Sequence, residues 1–249
     1  MDSDDQHGVA GREATADPTG ESVSPPISFR GTMRGATFAI SEASASALLP
    51  DGLQPIRATL GGAAALTLMS VDYDEVDAPG VEPYDQLAVF VPASHESPSR
   101  VPYVSPLTQG TNGYVWYMPV STAASKRLGR NLWGFPKVEA EIVHDDEGST
   151  RRTTVTIEGE RFVTLSVDTP PTIEMEDDGF VYNRMDGQLL RVPSTLDGEV
   201  GLWPFSDAVS VSFGGHPKAE PLRNLDIGPR ALGRLSLDGE LTFYRGQPV

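Results

Sequence analysis

Cysteine is absent from the 249-residue sequence, which excludes disulfides and thiolate chemistry. Positive charge is scarce: 19 Lys and Arg stand against 35 Asp and Glu, a formal net charge of −16. Phosphate backbones and anionic lipid surfaces call for clustered cations, so neither nucleic acid nor a membrane is expected as a partner. No apolar run approaches the ~18 to 20 residues that span a bilayer. The opening stretch MDSDDQHGVAGREATADPTGESVSPP has neither a basic segment nor an apolar one, so it does not read as a secretory signal, and a cytoplasmic location is expected. Histidine is rare as well. His7, His95, His144 and His216 are scattered without metal-ligand spacing, so no metal site is expected. Lysine is scarcest of the charged residues, with Lys126, Lys137 and Lys218 against 16 arginines. Excess acid with almost no lysine fits a halophilic habitat, where a densely charged surface stays hydrated and salt screens its self-repulsion.

What is present is mostly strand-like. Residues 1–26 are acidic and rich in Gly, Ser and Pro, and are expected to form a disordered tail. From 27 to 249, short β-branched or aromatic segments recur between turn signals. They include AALTLMSVDY, QLAVFVP, GYVWYMPV, TTVTIEG, RFVTLSV, QLLRVP, AVSVSF and ELTFYRG. HDDEGSTRR reads as a hairpin loop turning at Gly148, MDGQ and LDGE as further Asp-Gly turns, and MEDDG as a solvated loop. SEASASALL predicts a helix capped by Ser41, and STAASKRLG a helix from Ser121 to near Gly129 or Gly134. The pattern is β-rich (α+β): a closed or nearly closed antiparallel β-barrel with a few packed helices, in one domain.

The second helix runs into GRNLWGFPKV, Gly129 to Val138. LGRNLWGFPKVEAEI resembles the lysine motif of the acetoacetate decarboxylase superfamily, with Lys137 as its lysine. FAISEASASALLPDGLQPI, PYDQLAVFVP, VYNRMDGQLLRVP, FGGHPKAEPLRNL and ELTFYRG are similar to later or earlier family segments, in the family's order. The resemblance implies a cone-shaped barrel with a buried pocket, an oligomer, and an imine between Lys137 and a small keto acid, with no metal or organic cofactor. It also implies an activated lysine of the kind acetoacetate decarboxylases use.

Imine chemistry explains the residue type. A neutral primary amine attacks a carbonyl, and the resulting iminium accepts the electron pair released when a bond at the α-carbon breaks. Arginine stays protonated and cannot do this. A lysine brought from its usual pKa of about 10.4 to near neutrality costs about 4 kcal/mol, and desolvation or a nearby cation supplies the shift. The decarboxylase prototype has a second lysine after the first. Here Val138 follows, which leaves the shift to desolvation, aided by Trp133 and Phe135. On an ideal strand Glu139 shares a face with Lys137 about 7 Å away and opposes that shift.

Tyr84 and Gln86 match the family's Tyr-x-Glu strand and are candidate substrate contacts, with glutamine in place of the acid. Arg30, with Arg34 near it, is the candidate pocket cation, and Tyr244 a candidate proton donor. Arg130 reads as a strand-to-helix bridge and His216 as a loop cap. Three functions follow from these residues. The first is a lyase that decarboxylates acetoacetate or a similar β-keto acid. The second is an aldolase/dehydratase acting on pyruvate or another 2-keto acid, which Gln86 favours because a neutral amide holds a carboxylate in place. The third is a non-catalytic small-ligand-binding barrel.

Overall fold

The computed structural model describes residues 23–95, 112–228 and 230–249; most of the tail expected at 1–26 lies outside them. Seven strands close a ring. They are β1 (Ile27–Ile40), β3 (Ala64–Val76), β4 (Tyr84–Ser94), β5 (Gly113–Val120), β10 (Ile173–Met185), β11 (Gln188–Ser206) and β13 (Ala231–Phe243). Around the barrel the order is β4-β3-β1-β13-β11-β10-β5, returning to β4. All neighbours are antiparallel except β10 and β5, which meet in a short parallel contact at Val181–Gly113 and Tyr182–Tyr114. A second, antiparallel sheet is formed by β7 (Glu141–Glu147), β8 (Thr150–Ile157), β9 (Glu160–Asp168) and β12 (Val209–Phe213). Short strands β2 (Gln54–Pro55), β6 (Lys137–Glu139) and β14 (Gln247–Pro248) add to the barrel edges.

Two apolar layers explain the near-continuous hydrophobic runs. Along β3, Met69, Val71 and Tyr73 point into the barrel. Leu66 and Leu68 point outward, where Phe162, Val163 and Leu165 of the second sheet cover them. A strand buried on both faces needs no polar side, so AALTL reads as solid apolar sequence. Val23 packs on the inner cluster just ahead of β1.

Helix α1 (Glu42–Leu48) has Ser41 as its N-cap, accepting from the Ser44 amide at 3.0 Å. Helix α2 (Ala123–Trp133) is capped by Thr122 rather than Ser121, and stops at Gly134 in the left-handed conformation with φ 69°. A Cβ on Gly134 would stand 2.4 Å from the Arg184 carbonyl oxygen, so both backbone angle and space demand glycine there. A short α3 (Glu220–Arg223) follows a 3-10 turn, and His216 caps that turn by accepting from the Lys218 amide at 3.2 Å.

Two loop assignments from the sequence are corrected. Both LDGE segments lie inside strands, and Gly198 of β11 pairs directly with Gly239 of β13. A Cβ on either would meet the opposite strand's backbone oxygen, at 2.4 Å and 2.2 Å. These glycines serve close backbone approach, not a turn. MEDDG belongs to β10 instead of a loop, with Asp177 half-buried on the same inner face as Met175.

Candidate active site

Lys137 opens β6, which pairs in parallel with the end of β5 at Met118. The approach is rigidly built. The Arg130 guanidinium donates from Nε to the Lys137 carbonyl at 2.8 Å, tying helix to strand. The lysine side chain lies against Gly129 of α2, where a Cβ would come within 2.7 Å of both Cδ and Cε. Any side chain at this helical position would push the lysine shaft from its place.

The amine is 2% exposed as a residue and donates from Nζ to the Tyr84 hydroxyl at 3.0 Å. Burial lowers its pKa from 10.5 to about 7, and desolvation of the ammonium is the cause. No second cation is needed. Val138 turns the other way, onto the cluster between barrel and second sheet, as adjacent strand residues do.

Glu139 does not oppose activation. It is exposed, and its carboxylate pairs with Lys126 of α2 at 3.0 Å. Because β6 is only three residues long, its last residue already lies outside the barrel. Glu139→Gln is therefore expected to leave the pH profile of Lys137 unchanged and to shift stability by under ~1 kcal/mol, as for exposed ion pairs. Activity against pH and a denaturant melt check both.

Beyond the amine, Tyr84 stacks obliquely on Tyr73 with ring centroids 5.0 Å apart. Tyr73 is hydrogen-bonded by the Gln86 side chain. Burial holds both phenols well above their ordinary pKa of 10, so they remain protonated donors. Gln86 is buried on the same inner face. Trp133 and Phe135 close one side with Phe29 and Phe243, at centroid separations of 5.4 to 6.3 Å. The Trp133 indole donates to the Tyr244 carbonyl at 2.8 Å.

Two candidates are not brought to the amine. The Tyr244 side chain is 39% exposed, so this residue contributes its backbone carbonyl and not a phenol. Arg30 is exposed on β1, opposite the inward Phe29, with Glu75 and Glu240 as its cross-strand neighbours. Arg34 also lies away from the amine, donating to Thr169 at 2.9 Å. Two residues that matter were not singled out from the sequence. Tyr73 was signalled by its period-two spacing from Val71 and Met69, and Gly129 by its place at the head of the lysine motif.

A cavity partly open to solvent lies along the barrel lumen between Met33, Met69, Val200, Leu235, Leu237 and Leu241. Lys137, Tyr84 and Gln86 are not among its lining residues. No Lys or Arg lines the cavity among the described residues; Asp177 and two serines are its polar members.

A closed β-barrel carrying one desolvated lysine amine beside protonated phenols defines a carbonyl-binding, imine-forming class of enzyme. The acetoacetate decarboxylase family model matches residues 13–249, and the chain belongs to that family. Solved structures share the fold. The enduracididine biosynthesis enzyme MppR is similar with a TM-score of 0.66 at 16% identity, over 98% of this chain and 97% of its own. The acetoacetate decarboxylase of Legionella pneumophila subsp. pneumophila str. Philadelphia 1 gives 0.64 at 15% identity, over 98% and 93%. An acetoacetate decarboxylase-like enzyme from Sphingomonas wittichii RW1 gives 0.62 at 16% identity, over 96% and 100%. No curated protein matches the sequence. Membership makes this a lyase-type enzyme of Schiff-base keto-acid chemistry.

Proposed function

We propose that the chain decarboxylates acetoacetate or a similar β-keto acid through an imine on Lys137. The observation that carries this reading is a buried lysine amine, brought to a pKa of about 7 by desolvation and hydrogen-bonded to the Tyr84 hydroxyl. The neutral amine adds to the ketone carbon, and the carbonyl oxygen becomes a hydroxyl. Tyr84, within 3.0 Å of Nζ, is placed to deliver a proton to that oxygen as water leaves. The iminium then draws in the electron pair of the bond to the carboxylate carbon, giving carbon dioxide and an enamine. Protonation at carbon and hydrolysis return the ketone and the free amine. A desolvated site favours the step that disperses charge, since a carboxylate held there without a counter-ion is destabilised relative to the transition state.

A second reading, aldol addition and dehydration from a pyruvate enamine, is supported by Gln86 and by the solved complex of MppR with pyruvate. Borohydride reduction separates the two. With acetoacetate, decarboxylation predicts carbon dioxide release and an isopropyl group on Lys137. A carboxyethyl adduct from pyruvate, with no carbon dioxide from acetoacetate, rejects decarboxylation in favour of the second reading.

A further inference from the structure

Asn183 is fully buried at 0% exposure, yet neither its Nδ2 nor its Oδ1 has a hydrogen-bond partner. A buried amide with both ends unsatisfied is costly, by about 1 to 3 kcal/mol for each group, and native proteins seldom tolerate one without a use. Its place in the fold identifies that use. Asn183 alternates on β10 with Val181 and Met185, which pack in the inner cluster with Tyr84, Met118, Trp133 and Phe135. The intervening Tyr182 instead packs outside, with Leu53 and Ala93. Asn183 therefore faces the barrel interior.

It also borders the segment that delivers the lysine. The Gly134 cap, three residues before Lys137, sits against the Arg184 carbonyl and Met185. Tyr182 pairs with Tyr114, so Asn183 falls level with Val115, three residues from Met118 and hence from the level of Lys137. Three strand residues span about 10 Å. That separation matches the reach of a lysine side chain and a molecule of a few carbons.

We propose that the Asn183 amide binds the carboxylate of the keto-acid substrate. This rests on the imine reading of Lys137 and adds what holds the far end of the molecule. Nδ2 donates to a carboxylate oxygen, and Oδ1 accepts from a water that enters with the substrate. A neutral donor orients the carboxylate without adding a positive charge, whether the enamine arises by decarboxylation or is used for aldol addition. With Arg30 exposed on the barrel exterior and the Gln86 side chain engaged with Tyr73, Asn183 is the buried side-chain amide left without a partner among the described residues.

The test is Asn183→Leu, apolar and matched in branching and heavy-atom count, assayed by borohydride trapping at Lys137 with acetone and, separately, by turnover of acetoacetate. Acetone forms the same imine but has no carboxylate. The expected result is unchanged trapping of acetone, a KM for acetoacetate raised about ten- to a hundredfold, and a free protein that melts higher than wild type because the unsatisfied amide is gone. Asn183→Ser, which keeps one hydrogen-bonding group, should lie between the two and guards against a leucine variant that does not fold. Equal effects on acetone and acetoacetate, no change in either, or a lower melting temperature for both variants would overturn the assignment. If wild-type protein fails to trap acetone at Lys137, the imine reading itself fails, and that outcome is distinct from a loss confined to the carboxylated substrate.

Discussion

Lys137→Met is expected to yield a protein that forms no imine and is more stable than wild type at neutral pH, by up to about 5 kcal/mol. The figure is the gap between 10.5 and about 7 at 1.36 kcal/mol per pKa unit. The sign follows from proton binding. Between those two values the unfolded chain holds a proton on this lysine that the folded chain lacks, so wild-type stability rises with pH through the window. At and below pH 7 the whole cost of burial is present; above about pH 10.5 it has vanished. The advantage of methionine should therefore be largest at or below pH 7 and shrink as pH approaches 10.5. Denaturant melts of both proteins across this range measure it. A constant difference, or a methionine variant less stable at pH 7, would mean that the lysine is not desolvated as the structure shows. Arginine is the poorer replacement: its guanidinium stays charged in a site that excludes water, so loss of fold would mask loss of chemistry.

Gly129→Ala is the second large expectation, and its effect is on rate. The new Cβ would lie 2.7 Å from Cδ and Cε of Lys137 and 3.3 Å from Nζ. The lysine chain is the more mobile partner, so it moves and the amine shifts relative to Tyr84. Displacement of a reacting group by about 1 Å costs on the order of a hundredfold in rate. Stability should hardly suffer, since alanine favours a helix over glycine by about 1 kcal/mol. The expected variant is folded, melts near wild type, and turns over about a hundredfold more slowly. A kcat equal to wild type would show that the glycine does not set the position of the amine.

The lysine was legible in sequence because its chemistry excludes arginine, and a chain with sixteen arginines kept lysine there. The strands were legible where both faces are apolar, as in AALTLMSVDY. They were not legible where the pattern is broken for reasons of space or charge. β1 carries Gly31, Gly35 and two arginines because its neighbours' backbones come close and its other face is polar. The two LDGE segments carry the sequence signature of a turn, but their glycines exist because β11 and β13 meet backbone to backbone. The same limit governed the site. Tyr84 and Gln86 could be placed by motif. Which tyrosine reaches the amine depends on barrel register, which put Tyr73 inside and left the Tyr244 ring at the surface. The opposition expected from Glu139 assumed an ideal strand, whereas β6 ends at that residue and Lys126 draws its carboxylate outward.

The most direct measurement is the pH dependence of borohydride trapping at Lys137 with a simple ketone, the adduct mapped by mass spectrometry. Trapping is expected to rise as the amine loses its proton, with a midpoint near pH 7. A midpoint near 10.5, the value of an ordinary lysine, or an adduct on Lys126 or Lys218 in place of Lys137, would contradict a desolvated imine-forming lysine at the centre of this barrel.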